Sequence, residues 1–241
     1  MYYYILEPPT SRAVRQTYQK LRDLLTNLGI AGEMVAASPA RTPEELTMMG
    51  LERGYGTVVA VGGDAFVNNI AQAIIGQAVL GVIPIGEADQ ISEIIGTNNM
   101  RTAAEFLKFR RLSTFNTTIG EPETLIFLDA VITPPKLAKV NLVIDGKLRG
   151  YAYFNKLTIT RNAEIKIESS HLVEQKKILG LFTSGGTTVK SESLLHGKSI
   201  RLVTDPELAL MIGRQPIAKT PLQLRFHPNS LKVITKRGSI L

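Results

Sequence analysis

The stretch Val58-Val59-Ala60-Val61-Gly62-Gly63-Asp64-Ala65-Phe66-Val67-Asn68-Asn69 decides how this chain is read. An apolar run ends on paired glycines and an acid, and an amphipathic segment follows. That order describes a buried strand, a tight turn and a helix N-terminus. In an open α/β sheet, ligands collect beyond the carboxyl ends of the strands, and helix N-termini there favour anions. The turn is therefore the first candidate for a binding site.

Strand and helix alternate on both sides of this turn. Tyr2–Leu6 reads as a strand closed by Glu7-Pro8-Pro9. Ser11 is placed to cap a helix from Arg12 to Leu28, whose Val14, Tyr18, Leu21, Leu25 and Leu28 form one apolar stripe ended by Gly29 or Gly32. Met34–Ala37 is a second strand. Thr42-Pro43-Glu44-Glu45 is a capping box with proline at the first helical position, opening a helix over Pro43–Arg53. Past Gly54-Tyr55-Gly56, Thr57–Val61 is a third strand, Val67–Ile75 a short helix and Val79–Pro84 a fourth strand. A second loop, Gly86-Glu87-Ala88-Asp89-Gln90, leads to helical segments at Ile91–Ile95 and Thr102–Phe109. Such alternation implies parallel pairing through right-handed crossovers.

Near Arg111 the pattern changes to short β-rich segments divided by turn signals. Thr124–Thr133, Lys139–Ile144, Lys147–Thr160, Ala163–Glu168, Ile178–Thr183, Ser199–Thr204, Leu222–Phe226 and Leu231–Thr235 all read as strands. Asp145-Gly146, between apolar runs, is a hairpin turn. Ser184-Gly185-Gly186-Thr187-Thr188 lies between β segments with no helix to follow, so it reads as a loop rather than a phosphate cradle. A domain boundary is expected here, with residues 1–111 as an α/β half and 112–241 as a β half.

The composition limits the function classes. Apolar residues make up 44% and charged residues 20%, as in a globular protein. Cysteine is absent, which removes disulfides and thiol catalysis, and the three histidines, His171, His196 and His227, are too dispersed for a histidine-built metal site. The start of the chain carries no basic leader, and no window approaches the roughly 20 apolar residues of a membrane helix. A cytoplasmic location is expected. The net charge of +7 suits anionic partners, but Lys and Arg are scattered, so plain solubility is the simpler account.

Val58–Asp64 followed by Val67-Asn68-Asn69-Ile70 resembles the glycine-glycine-aspartate signature of the diacylglycerol kinase family, whose fold NAD kinases share. Leu80-Gly81-Val82-Ile83-Pro84-Ile85-Gly86 is similar to the family's second loop. Thr220–Pro228 and Leu231-Lys232-Val233-Ile234 resemble its closing strands. The resemblance implies a Rossmann-like parallel α/β lobe, then an antiparallel β-sandwich lobe, with the C-terminal segment returning to the first lobe. It places the active site in the cleft between lobes, with ATP phosphates on the glycine turn, Mg²⁺ assisting and a lipid hydroxyl accepting phosphate. On this reading Asp64 is the catalytic candidate, and Gly62, Gly63, Asp64, Asn68, Gly86 and Asp89 bind nucleotide. No metal ligand set is assigned.

The sequence departs from the family at those positions. The family's glycine-threonine after the aspartate is Ala65-Phe66, which restricts positive φ and removes a hydroxyl donor. Asn69 stands where glutamate is usual. An asparagine-proline start appears as Glu7-Pro8, and a glycine-threonine-x-asparagine-aspartate loop appears as Gly86-Glu87-Ala88-Asp89-Gln90. A carboxylate about 4 Å from a phosphate charge costs on the order of a few kcal/mol at an effective dielectric near 20, unless Mg²⁺ or Arg12 offsets it. Most telling, Leu210-Met211-Ile212-Gly213-Arg214-Gln215-Pro216 occupies the place of an aspartate-glycine-glutamate loop. Ile212 and Arg214 stand for its two carboxylates, and a guanidinium cannot take a proton from an alcohol. Asp64 itself reads equally as a helix cap.

Three functions follow. The first is a degenerate pseudokinase that binds a nucleotide, a lipid or a partner in the cleft. The second is an active divergent lipid kinase using ATP and Mg²⁺, with Asp64, Glu87 or Asp89 recruited. The third is a non-enzymatic binder of anionic surfaces. Peripheral membrane contact and a homodimer are left open, and no nucleic acid is expected because aromatic and basic residues do not interleave.

Overall fold

The computed structural model of the protein describes residues 2–121, 124–173 and 187–236. Its first part alternates strand and helix in the order β1 (Tyr3–Leu6), α1 (Arg12–Asn27), β2 (Glu33–Ala36), α2 (Pro43–Glu52), β3 (Thr57–Gly62), α3 (Asp64–Ile74), β4 (Val79–Pro84), α4 (Asp89–Ile95) and α5 (Met100–Phe109). Ser11 accepts from the Val14 N–H to start α1, and Thr42 with Glu45 closes a reciprocal capping box on α2. Both caps had been legible.

β1, β3 and β4 are buried along their whole length, as near-continuous apolar strands covered on both faces must be. They pair in parallel in the order β2-β1-β3-β4, with Tyr4 beside Val59 and Ala60 beside Val82. This places the ends of β1, β3 and β4 along one edge of the sheet.

All further strands are antiparallel but for one pairing. They are β5 (Leu112–Glu121), β6 (Thr124–Ile126), β7 (Ala130–Ile132), β8 (Ala138–Ile144), β9 (Leu148–Phe154), β10 (Lys156–Ile159), β11 (Glu164–Val173), β12 (Thr187–His196), β13 (Ser199–Asp205), β14 (Ala209–Ile212), β15 (Gln215–Lys219) and β16 (Leu222–Ile234). Among the described residues, the first sheet continues as β4-β16-β13-β8-β9, with β5 on β16 and β6 on β5. The second sheet runs β12-β11-β10-β7-β14-β15. β16 is the link: Lys232 and Val233 lie parallel to Val79 and Leu80 of β4, so the chain's last strand returns to the α/β sheet. The observed architecture is the expected parallel α/β layer followed by antiparallel β layers.

Several elements differ from their sequence reading. α3 begins at Asp64, three residues earlier than its apolar period suggests. Leu112–Glu121, where the sequence pattern marks no element, is a ten-residue strand. Lys147–Thr160 is two strands in different sheets, parted at Asn155, whose N–H donates to Glu168 O and whose Oδ1 accepts from Ser170 N. The two strands follow one another with Asn155 alone between them and no glycine or proline beside it, so no such breaker marks the change of sheet. Thr124–Thr133 likewise divides into β6 and β7. Leu222–Phe226 and Leu231–Thr235 are one strand with an irregularity between His227 and Leu231. Ile178–Thr183 and Ser184–Gly186 lie outside the described residues, and Thr187-Thr188 open β12. At the β8–β9 hairpin, Asp145 (φ 50°) and Gly146 (φ 68°) take the left-handed turn their types favour. The Asp145 carboxylate accepts from the N–H groups of Lys198 and Ser199, so it is structural. No helix among the described residues is long and apolar enough to cross a membrane.

Candidate functional site

Beyond the ends of β1, β3 and β4 lies a cleft of about 710 Å³. Its walls are Glu7, Pro8 and Thr10 after β1, Val14 and Tyr18 of α1, Gly63–Ala65 after β3, Ile85–Glu87 and Asp89 after β4, and Ile212–Gln215 from the β14–β15 hairpin. Segments drawn from residues 7 to 215 thus meet where an open α/β sheet places its ligands. Of the sequence candidates, Glu7, Gly63, Asp64, Ala65, Gly86, Glu87, Asp89, Ile212, Gly213 and Arg214 line the cleft. Gly62, Phe66, Asn68, Asn69 and Gln90 are not among its walls.

The paired glycines have a packing explanation. A Cβ on Gly62 would lie 2.6 Å from Glu7 Oε2 and 2.8 Å from the Phe66 ring, and one on Gly63 would lie 2.7 Å from the Glu87 carbonyl oxygen. The first and second loops close directly onto the turn. Its N–H groups are used in the same way: Gly63 donates to Glu7 Oε2 at 2.8 Å, and Asp64 donates to Glu87 O at 2.8 Å. The glycines are therefore needed for close approach of protein to protein, independently of any ligand. Ala65 sits in the first turn of α3 and is not among the residues with positive φ, so the freedom of a glycine is not required there. The Phe66 ring is buried in the core beneath the turn rather than in the cleft.

Asp64 is buried, and its side chain points across to the next helix. Oδ2 accepts from Gln90 N–H at 3.2 Å and Oδ1 from Ile91 N–H at 2.9 Å, at the start of α4. It is a cap, as one of its two sequence readings has it, but of α4 and not of its own helix. Burial pushes its carboxyl above the ordinary range and Asp89 adds to this, while the two N–H donors act in the opposite direction.

Asn68 and Gln90 do a job the sequence did not suggest. Asn68 Nδ2 donates to Leu125 O and its Oδ1 accepts from Phe127 N–H; Gln90 Nε2 donates to Asp129 O and its Oε1 accepts from Asp129 N–H. Gln72, one turn after Asn68, accepts from Leu125 N–H. Three amide side chains on α3 and α4 thus pin residues 125–129. A carboxamide presents an N–H donor and a C=O acceptor side by side, matching the C=O and N–H of a backbone segment. The spacing Asn68–Gln72 on one helical face was the available signal.

At the cleft's rim the Arg214 guanidinium lies 3.1 Å from Glu87 Oε1. Ile212 is fully buried, and Gly213 turns the hairpin with φ 56°. Tyr18 donates its hydroxyl to Glu7 O, and burial first, then the Glu7 charge, push its phenol up to about 12. Asp89 stands exposed at the start of α4.

Residues 4–118 match the diacylglycerol kinase catalytic domain. The α/β half of the chain is thus similar to that catalytic domain. The whole fold agrees. A diacylglycerol kinase structure from Bacillus anthracis Sterne superposes with a TM-score of 0.68 at 13% identity, covering 98% of this chain and 96% of that one. A yeast NADH kinase complexed with NADH gives 0.56 at 9% identity, with 98% and 83% covered. An NAD kinase from Archaeoglobus fulgidus in complex with ATP gives 0.50 at 11%, with 98% and 94% covered. No curated protein matches the sequence. The chain therefore shares the fold of these structures from end to end, while its domain match ends within β5.

Its residues give little support for a protein-held Mg²⁺. Among the described residues no group of three or more carboxylate or imidazole side chains gathers that could hold a metal. Asp64, the carboxylate nearest the turn's helix, spends both oxygens on backbone donors.

Proposed function

We propose that this kinase-like protein holds a ligand in the cleft between its α/β half and its β14–β15 hairpin, and does so without transferring phosphate. The observation carrying this reading is the engagement of the cleft's carboxylates. Glu7 accepts from Gly63, Asp64 caps α4, and Glu87 pairs with Arg214. A general base must reach the proton it removes, and its help is typically worth about 10²–10⁴ in rate. At the hairpin the residue facing the cleft is a permanently charged guanidinium, which has no such capacity. Residues 1–111 then serve as the nucleotide-binding-like lobe and 112–241 as the lobe that covers it. The ligand classes that suit a kinase-like cleft are a nucleotide, a lipid headgroup or a segment of a partner.

A second reading rests on Asp89, which lines the cleft from an exposed position and is free to approach a hydroxyl. On that reading the protein is a divergent ATP-dependent lipid kinase with Asp89 as base. Incubation with γ-labelled ATP, Mg²⁺ and diacylglycerol-containing vesicles separates the two. The expected result is no label in lipid above a protein-free control. Label that appears with the wild type and disappears in Asp89→Asn would sink the pseudokinase reading.

A further inference from the structure

We infer that Glu7 is a built-in anion that occupies the phosphate position of the glycine turn, so that the ligand of the cleft presents no phosphate there. This rests on the cleft being the binding site, as proposed above, and narrows what it takes.

α3 is an eleven-residue helix that starts where β3 ends, so its N-terminal N–H groups point toward the cleft with the positive end of the helix dipole behind them. In this chain that position already holds a negative charge. Glu7 Oε2 lies 2.8 Å from Gly63 N, a length typical of a hydrogen bond to a charged acceptor. Its side chain rests on the bare Cα face of Gly62. The backbone on either side is fixed as well: Glu7 N–H donates to Val61 O, and Glu7 O accepts the Tyr18 hydroxyl at 2.7 Å. Glu7 is thus tethered through its main chain to β3 and α1, and its carboxylate is delivered to the turn at little entropic cost.

The neighbouring donor is closed too, since Asp64 N–H is taken by the Glu87 carbonyl. A phosphate entering the turn would have to displace the carboxylate of Glu7 from Gly63 and then lie beside it as a like charge. Arg214 offers no compensation at that point, because it is drawn to Glu87 at the rim. Nucleoside di- and triphosphates are excluded on both counts, whereas a hydroxyl-bearing headgroup or a peptide segment without phosphate meets neither penalty. Glu7 is in this sense a specificity-determining residue, acting by occupying the site in advance.

The test compares wild type with Glu7→Asn, which withdraws the charge and shortens the reach, and with the isosteric Glu7→Gln, which keeps the shape if the shorter side chain unsettles the fold. Isothermal titration with Mg·ADP and with inorganic pyrophosphate is the readout, and circular dichroism establishes that each variant is folded. The expected result is no measurable binding by wild type up to millimolar ligand and at least a tenfold gain in one neutral variant, equivalent to about 1.4 kcal/mol. Binding by wild type equal to that of both variants overturns the inference, and so does failure of all three proteins to bind. Nucleotide binding by wild type without phosphate transfer to lipid would overturn this inference alone and leave the pseudokinase reading standing. Transfer itself would overturn both.

Discussion

The floor and the rim of the cleft both carry polar side chains but use them in opposite ways. At the floor, Asp64 is buried and its oxygens accept from two backbone N–H groups of α4. Behind it, beneath the cleft's walls, the amide of Asn68 is buried and bonded to Leu125 and Phe127. At the rim, the side chains of Glu87 and Arg214 are 64% and 86% exposed and touch only at their tips. A buried polar group that loses its partner leaves another group unsatisfied in a medium that cannot solvate it, while an exposed pair simply returns to water. The floor therefore holds the two halves of the protein together, and the rim governs only what passes between them.

The contrast is broken most directly at Asn68. Asn68→Leu keeps the branched shape, with bulkier methyl groups, and removes both bonds, leaving Leu125 C=O and Phe127 N–H buried without their partner. A loss of about 2–4 kcal/mol in unfolding free energy is expected from two such groups, measured by urea denaturation. A loss below about 0.5 kcal/mol would mean that water or a neighbour replaces the amide, and that the floor is not the fastening it is taken for.

Asp64 comes next. Asp64→Ala leaves the first turn of α4 without its cap and costs about 1–2 kcal/mol, toward the upper end because the site is buried. The charge adds a pH signature. The folded carboxyl is held above its ordinary value of 3.8, so the native state keeps this proton to higher pH than the unfolded chain does. Its contribution to stability is present below about 3.8 and is lost as pH rises through the folded value. The difference in stability between wild type and Asp64→Asn should accordingly shift against wild type on going from the acid side of 3.8 toward neutrality. A difference that moves the other way would mean that the two N–H donors, and not burial, dominate the site.

These two residues also mark how far the sequence could be read. The glycine turn, the strand–helix alternation and both helix caps follow from local rules, and local rules hold where apolar periodicity and capping act within one element. Asp64 was legible as a cap, but its target lay 26 residues downstream, across a loop closure that no local pattern encodes. Asn68 reads only as a motif residue, because its partners, in β6 and just after it, lie 57 and 59 residues away. In the β half the same limit is more severe. Phe154 and Leu157 are both fully buried core residues three positions apart, yet they lie in different sheets, and only the packing decides which. The hairpin carrying Arg214 was recognised by its place in the chain, whereas its pairing with Glu87 required the fold.

The smallest effect is expected at that pair, and it is the sharpest check on the division between floor and rim. Two long, exposed side chains 3.1 Å apart gain little attraction in water and lose rotamer freedom in meeting, so Glu87→Gln or Arg214→Gln should alter stability by less than about 1 kcal/mol. The double variant should equal the sum of the singles to within about 0.5 kcal/mol if the pair is as weak as its exposure implies. What should change is access. Each single variant leaves one uncompensated charge at the mouth of the cleft, negative in Arg214→Gln and positive in Glu87→Gln, and the two should shift anion binding in opposite directions. Titration of the Glu7→Asn protein with Mg·ADP in each background would read this, with Glu87→Gln strengthening binding and Arg214→Gln weakening it. Raising the salt from low ionic strength to about 0.15 M, where the screening length is near 8 Å, should shrink the difference. A coupling well above 1 kcal/mol would place the pair with the buried groups instead, as a latch that holds the hairpin down.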